Sequence, residues 1–337
     1  MKIGILTHPF ALNYGGILQA FALKIIIEQS GHTVIHLNRK ENRNHIKLIY
    51  DWFRNRIKPI PERIIPSQNF IDNNFILTKP IYSDSQFRTI CNKYHFNKII
   101  VGSDQVWNPV FVSTRGWSYF LPLKKNISRM SYAASFGVNK WEYNKEQTKI
   151  IKKQLLKFDS ITVRESSAVD LLNAIGINSS LVLDPTLLHT ANFYNRISSP
   201  RTHGDNYVFT YWLGEVNKIK DFLKEYSQSN KQDNIFVSLR EYESLCPLPE
   251  WISNIKYSNA VITDSFHGLV FALLYHKPFI IFKNESGGWG RITSLLNLCK
   301  ICYIVGEVIT PDYNYVDKVL ETHRHNSILR INEFLQL

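Results

Sequence analysis

The sequence predicts an α/β protein made of two doubly wound, Rossmann-like domains that face each other across a cleft. Three observations carry that expectation. Short β-branched runs alternate with stretches of helical periodicity along the chain. A turn-rich break, Ile197-Ser198-Ser199-Pro200-Arg201-Thr202-His203-Gly204-Asp205-Asn206, interrupts the alternation, which then starts again. The length, 337 residues, exceeds the size at which a single core keeps growing. The expected domains are residues 1–197 and 206–337, with the last helix placed to pack back on the first domain.

The first domain opens with a strand at 2–7 and a helix at roughly 16–30, stopped by Gly31. Residues 32–38 form the next strand, and this βαβ unit requires a right-handed crossover in a parallel sheet. Further strands are expected at 98–102, 130–135, 160–164 and 180–183, each ending in, or followed at once by, a small or polar residue. After the break come a strand at 207–213, a helix at about 215–228, and strands at 234–239, 260–263 and 278–282. Two such domains with their strand ends facing each other form a GT-B-like cleft, because ligands of open α/β sheets bind beyond the carboxyl ends of the strands.

Composition removes several function classes. Hydrophobic residues at 44% and aromatics at 13% suffice for packed cores, and there is no repeat or low-complexity tract. Met1-Lys2 leads straight into the first strand, so no signal peptide is expected, and no apolar run is long enough to span a bilayer. The four cysteines, Cys91, Cys246, Cys299 and Cys302, make no disulfide framework for a chain this large, which points to the cytoplasm. Cys299-Lys300-Ile301-Cys302 lacks a second ligand pair and reads as a helix end meeting a strand at Tyr303-Ile304-Val305. Neither a metal nor a cofactor is expected.

The net charge of +12 suits an anionic partner. Arg39, Lys40, Arg43, Lys47, Arg54, Arg56, Lys58 and Arg63 gather in the segment 39–65, interleaved with Ile46, Leu48, Ile49, Trp52, Phe53, Ile57 and Ile60. That pattern fits peripheral contact with an anionic membrane, or equally the solvated face of an amphipathic helix. No nucleic-acid module accompanies the charge, so nucleic acid is not an expected partner.

The most pointed motif is Ala260-Val261-Ile262-Thr263-Asp264-Ser265-Phe266-His267-Gly268, where a strand ends in a polar turn and a helix begins at once. Unpaired N–H groups and the helix dipole favour an anion there, with His267 beside it as acid or base; a buried capping turn is the alternative. Val101-Gly102-Ser103-Asp104-Gln105-Val106-Trp107-Asn108 likewise delivers polar groups to a sheet edge. Asp104 is either a base or sugar ligand, or a helix N-cap, and Trp107 is placed to stack on a sugar face. Arg164, at the end of the 160–164 strand, is a natural clamp for carboxylate or phosphate unless Glu165 pairs with it. Gly287-Gly288-Trp289-Gly290-Arg291 would bring Arg291 to the same anion. Gly15-Gly16, at the first helix start, would let backbone approach a ligand closely or simply form a tight turn.

Five segments occur in order: Asn13-Tyr14-Gly15-Gly16 with Leu18-Gln19-Ala20, Val101 to Asn108, Val163-Arg164-Glu165-Ser166-Ser167, Leu183-Asp184-Pro185-Thr186, and Thr263 to Gly268. Together, over about residues 1–300, they resemble the polysaccharide pyruvyl transferase family. The resemblance implies a GT-B-like fold, phosphoenolpyruvate as donor, and pyruvate ketals on cell-surface glycans as products. It implies that His267 is the catalytic histidine and that Ser265 and Phe266 line the donor pocket with Arg164. Relatives often carry Arg-Leu-His where this chain has Ser265-Phe266-His267, so Arg291 or Arg240 is expected to supply the donor-binding cation. Many also carry an acidic residue in the first glycine loop, where this chain has Asn13-Tyr14.

Phosphoenolpyruvate carries a phosphate and a carboxylate, so two cationic clamps and a helix N-terminus are expected around it. Ketal formation protonates its methylene carbon, adds a sugar hydroxyl at C2, expels phosphate and closes the ring with a second hydroxyl. The expected roles are His267 as general acid, Asp104 as base, and Arg164 with Arg291 as clamps, with Gly268 also on the donor side. The acceptor, a sugar or lipid-linked oligosaccharide at the inner face of the cell membrane, would meet Asn13, Tyr14, Gly15, Gly16, Ser103, Gln105 and Trp107. Two other readings share the fold: a nucleotide-sugar-dependent GT-B glycosyltransferase, and a non-catalytic glycan- or anion-binding protein.

Overall fold

The computed structural model describes residues 1–43, 66–123, 127–285 and 287–337. Strands β1 (Lys2–Leu6), β2 (Thr33–His36), β3 (Lys98–Asp104), β4 (Ser128–Ala134), β5 (Ser160–Val163) and β6 (Ser180–Leu181) form one parallel sheet in the order β2-β1-β3-β4-β5-β6. Strands β7 (Tyr207–Trp212), β8 (Asp233–Ser238), β9 (Ala260–Thr263) and β10 (Phe279–Ile281) form a second parallel sheet in the order β10-β9-β7-β8. Helices on both faces explain why β3 and β7 are buried along their whole length and read as near-continuous apolar runs.

The described helices are α1 (Tyr14–Gln29), α2 (Gln68–Asn74), α3 (Asp84–Tyr94), α4 (Pro109–Arg115), α5 (Lys145–Leu155), α6 (Ser166–Ala174) and α7 (Ala191–Asn195) in the first half. Those of the second half are α8 (Lys220–Asn230), α9 (Leu248–Tyr257), α10 (Phe266–Leu274), α11 (Trp289–Leu298) and α12 (Tyr313–Gln336). None of the described helices is long and apolar enough to cross a membrane.

Strand order fixes where a ligand can sit. In the first sheet the chain passes from β1 to β2 on one side and returns to β3 on the other. In the second it passes from β7 to β8 and returns to β9. Each sheet therefore has a switch point, between β1 and β3 and between β7 and β9, where the connecting loops part and leave a crevice at the strand ends.

The two halves share their largest apolar cluster, which runs from Ile3, Ile5 and Leu18 through Phe209, Trp251 and Phe271. Tyr14 stacks on Trp251 with centroids 5.4 Å apart, and Tyr194 meets Phe271 edge-on at 4.8 Å. Helix α12 lies against the first half: Ser327 Oγ accepts from the Leu183 N–H at 3.0 Å, and Arg324 Nε donates to the Leu187 carbonyl at 2.9 Å.

One expectation fails here, and a second departs from the structure at its first residue. Tyr303-Ile304-Val305 forms no strand; Lys300, at φ 52°, turns the chain after helix α11, Ile304 and Val305 are exposed, and Ile309 makes the bridge to Phe279. The basic segment 39–65 lies outside the described residues from 44 onward. At its start Arg39 is fully buried rather than solvated. It donates to the carbonyls of Lys40, Ile81 and Arg115 and pairs with Asp84 at 3.7 Å, so its charge is spent inside the fold.

Candidate active site

A cavity of about 220 Å³ lies where the two switch points face each other. His8 follows β1, Asp104 and Gln105 end β3, Leu213 follows β7, and Asp264 to His267 follow β9; Asn284, Gly288 and Arg291 come from the loop after β10 and the start of α11. Phe111 and Arg115 of α4 close one wall. Three helices begin at this cavity. Asn13 caps α1 by accepting from the Gly16 N–H at 3.2 Å, and Ser265 caps α10 by accepting from the Gly268 N–H at 3.4 Å. Gly288, at φ 91°, precedes α11 without a side-chain cap. Converging helix N-termini favour a bound anion.

Under the cavity floor sits a buried charge network. Arg164 donates from Nη1 to Asp184 Oδ2 at 2.6 Å and from Nη2 to Asp104 Oδ1 at 2.7 Å. Its guanidinium lies 4.9 Å from the Phe266 ring centroid, and Arg291 approaches the same ring at 5.8 Å. Asp184 also accepts from Ser103 Oγ, the Thr186 N–H and Thr186 Oγ1. Burial alone would raise the Asp104 and Asp184 carboxyls. Against burial, Arg164 leads at Asp104 with His8 and Arg291 adding, and His267 leads at Asp184 with Arg164 and Thr186 adding, so both are held well below the usual range. His267 Nε2 faces Asp184 Oδ1 at 3.7 Å.

The structure gathers Asn13, Gly16, Asp104, Gln105, Ser265, Phe266, His267 and Arg291 on the cavity wall. Gly15 lies behind the His267 ring, and Gly268 packs on Thr263, whose Oγ1 would lie 2.3 Å from a Cβ there. The other expected site residues are placed differently. Trp107 is fully buried, donates to the Tyr119 carbonyl and stacks on Phe120, so it is core and presents no face to a sugar. Tyr14 is buried between the halves, its hydroxyl bound to the Cys246 backbone. Ser103 is buried against Gln19 and Asp184. Arg164 has no exposed side-chain surface, and both terminal nitrogens are taken, so it braces the site from below rather than clamping a ligand. Asp104, tied to Arg164 and held ionised, is a weak proton acceptor. Its φ of 74° is a left-handed conformation that aspartate tolerates better than most residues. Arg240 lies in an adjoining pocket, paired with Glu215 at 2.9 Å.

A family model for polysaccharide pyruvyl transferase matches residues 13–286. The chain belongs to the polysaccharide pyruvyl transferase family. No curated protein matches it in sequence. UDP-GlcNAc 2-epimerase from Methanocaldococcus jannaschii superposes with a TM-score of 0.52 at 13% identity, covering 100% of this chain and 99% of that one. The structure of the same organism's enzyme in complex with UDP-GlcNAc and UDP gives 0.50 at 13% identity over 100% and 99%. The S. aureus MnaA–UDP structure gives 0.50 at 11% identity over 97% and 90%. At such identities the likeness shows the fold, a GT-B-like pair of Rossmann-type units with parallel sheets.

In this pyruvyl transferase family member, three cavity residues escaped the sequence reading. Asp264 lies in the same strand–turn–helix motif as His267, three residues before it. Its carboxylate accepts from the Leu213 N–H at 2.7 Å, the Gly214 N–H at 2.8 Å and Asn284 Nδ2 at 2.9 Å. Burial pushes it up to about 6 against those donors. His8 is pushed down to about 4 by burial, opposed by Asp104 and aided by Arg115, so it is neutral at pH 7. Arg115 Nη1 lies 3.3 Å from His8 Nδ1, and a guanidinium only donates, so the proton of neutral His8 is on Nε2. The usable signal for His8 and Asp264 was position: each follows a strand that borders a switch point.

Proposed function

We propose that the protein transfers the pyruvate unit of phosphoenolpyruvate onto a pair of sugar hydroxyls as a ketal, within the two domains 1–197 and 206–337. The observation that carries the reading is the setting of His267. Its ring stands on the wall of an anion-favouring cavity, with Nε2 turned to the locked carboxylate of Asp184. A carboxylate behind an imidazole orients the ring, as a proton-donating histidine requires.

In this reading Arg291 and Arg115 take the phosphate and carboxylate of the donor, helped by the starts of α1, α10 and α11. Burial and the nearby Arg164 bring Arg291 down to about 10, so it keeps its charge at neutral pH. Gly288 makes room for it, since a Cβ there would lie 2.2 Å from Arg291 Nη2. Arg291 thus takes the duty of the arginine that relatives carry at the position of Ser265. His267 protonates C3 of the donor, C2 becomes electrophilic, and a sugar hydroxyl adds.

The test is phosphate release from phosphoenolpyruvate in the presence of a panel of sugars and oligosaccharides, with mass analysis of the acceptor. The expected gain is that of a pyruvate ketal, lost in His267→Gln. Full transfer by His267→Gln, or turnover of nucleotide sugars with none of phosphoenolpyruvate, would overturn the reading.

A further inference from the structure

We propose that Asp264 is the catalytic base that takes the proton from the attacking sugar hydroxyl. The inference rests on the pyruvyl-transfer reading and adds to it the partner of His267. Three buried aspartates stand at or under the cavity, Asp104, Asp184 and Asp264, while the buried Glu165 faces Arg164 at 3.8 Å and does not line the cavity. Two of them are ion-paired to Arg164 at 2.7 and 2.6 Å and cannot take up a proton without breaking that pair. Asp264 lines the cavity, and its hydrogen-bond donors among the described residues are neutral: the backbone N–H groups of Leu213 and Gly214, its own backbone N–H and the Asn284 amide.

Oδ2 accepts from two neighbours, the Gly214 N–H and Asn284, whereas Oδ1 accepts from the Leu213 N–H, so Oδ1 is the oxygen with capacity for a substrate hydroxyl. Gly214 keeps that carboxylate uncrowded, because a Cβ there would lie 3.0 Å from Asp264 Oδ2. Burial without a cation makes Asp264 more basic than an ordinary aspartate, whereas Asp104 and Asp184 are less so. Carboxyls driven apart in this way by their surroundings divide acid–base duties within one site.

His267 gives its proton to C3 as the first hydroxyl oxygen bonds to C2 and Asp264 receives the hydroxyl proton. The C2–O bond to phosphate then breaks, the electron pair leaves with phosphate, and the proton on Asp264 passes to it. The second hydroxyl bonds to C2, and its proton restores His267.

The experiment compares wild type with Asp264→Asn and Asp264→Ala in the full chain, each checked by thermal melting. Phosphoenolpyruvate affinity and transfer rate are both measured. Asp264→Asn is expected to bind phosphoenolpyruvate within about threefold of wild type and to transfer about 100-fold more slowly or worse. Formate, a carboxylate small enough to enter the vacated space, should restore at least about tenfold of the rate of Asp264→Ala. Transfer by Asp264→Asn at a near wild-type rate, or no response of Asp264→Ala to formate, would overturn the assignment. A wild-type protein that transfers nothing from phosphoenolpyruvate would instead count against pyruvyl transfer itself.

Discussion

A Cβ on Gly15 would lie 2.0 Å from Nδ1 of His267 and 2.2 Å from its Cγ. The first turn of α1 and the start of α10 come from opposite halves of the chain, and they meet at this missing side chain. The glycine therefore serves the histidine: it lets the ring lie against the helix backbone with Nε2 directed at Asp184. Gly15→Ala should push the ring away, and a displacement of about 1 Å can cost about 100-fold in rate. Overpacking of this kind destabilises by about 1–3 kcal/mol. Transfer kinetics beside a melting curve test it, and a fully active Gly15→Ala would mean that the ring has room to spare.

Tyr14 joins the halves by a different bond. Its hydroxyl donates to the Cys246 carbonyl at 2.7 Å and accepts from the Cys246 N–H at 3.1 Å. Tyr14→Phe keeps the stacking on Trp251 but leaves two backbone groups unpaired in a largely buried place, at a cost of about 1–3 kcal/mol. Denaturant unfolding with an unchanged slope should show that loss as a lower midpoint. An unshifted midpoint would remove the bond from the list of interactions that hold the halves together.

Arg164→Met should be far more damaging, because it takes the guanidinium from buried Asp184 and leaves buried Asp104 with Arg291 alone, at 3.4 Å. Removing one partner of a buried pair costs about 3–5 kcal/mol. The pH dependence has a definite sign. Both carboxyls are held below their unfolded-state value of about 3.9, so they contribute stability above that pH and lose it as pH falls toward the folded values. In Arg164→Met that contribution is weakened at neutral pH, and burial then raises the two carboxyls, so the gap to wild type should begin to narrow above about pH 4 and go on narrowing as pH falls. A gap that stayed constant with pH would place the damage in packing around Phe266 instead.

What was legible in the sequence was local. Strand, polar turn and helix lie within nine residues at Ala260–Gly268, so the sequence could place Ser265 and His267 at a strand end, where the cavity is. What was not legible depends on partners distant in sequence. Trp107 reads as an exposed ring after a strand, but Phe120 and Phe136 enclose it. Tyr14 reads as part of a ligand loop, but its partner, Cys246, belongs to the other half of the chain. Arg164 reads as a free clamp until Asp184, from the end of the next strand, arrives beside it. Asp264 shows the converse. Its position after β9 was in plain view, but only the absence of a facing cation separates it chemically from Asp104.

Acid stability offers a last test, because burial lowers several histidines of the first half, His8, His36 and His189 among them. Burial, with Lys24 adding, pushes His36 down to about 3, and burial pushes His8 down to about 4. The unfolded chain takes up protons at these positions near pH 6.5, before the folded protein does. Their contribution is therefore complete above pH 6.5 and is lost as pH falls toward the folded values, by about 1.4 kcal/mol per pH unit for each group. Asp264 works the other way between about 4 and its folded value of about 6, gaining stability as pH falls. His36→Leu isolates one of these terms, since Asp264 and His8 are common to both proteins. The ring packs against Phe10 and Phe75, where leucine fits an apolar setting. Relative to wild type, His36→Leu should gain about 2 kcal/mol between pH 6.5 and pH 5, read from denaturant midpoints at each pH. Parallel stability curves for the two proteins would show that His36 takes up its proton in the folded state as readily as in the unfolded chain.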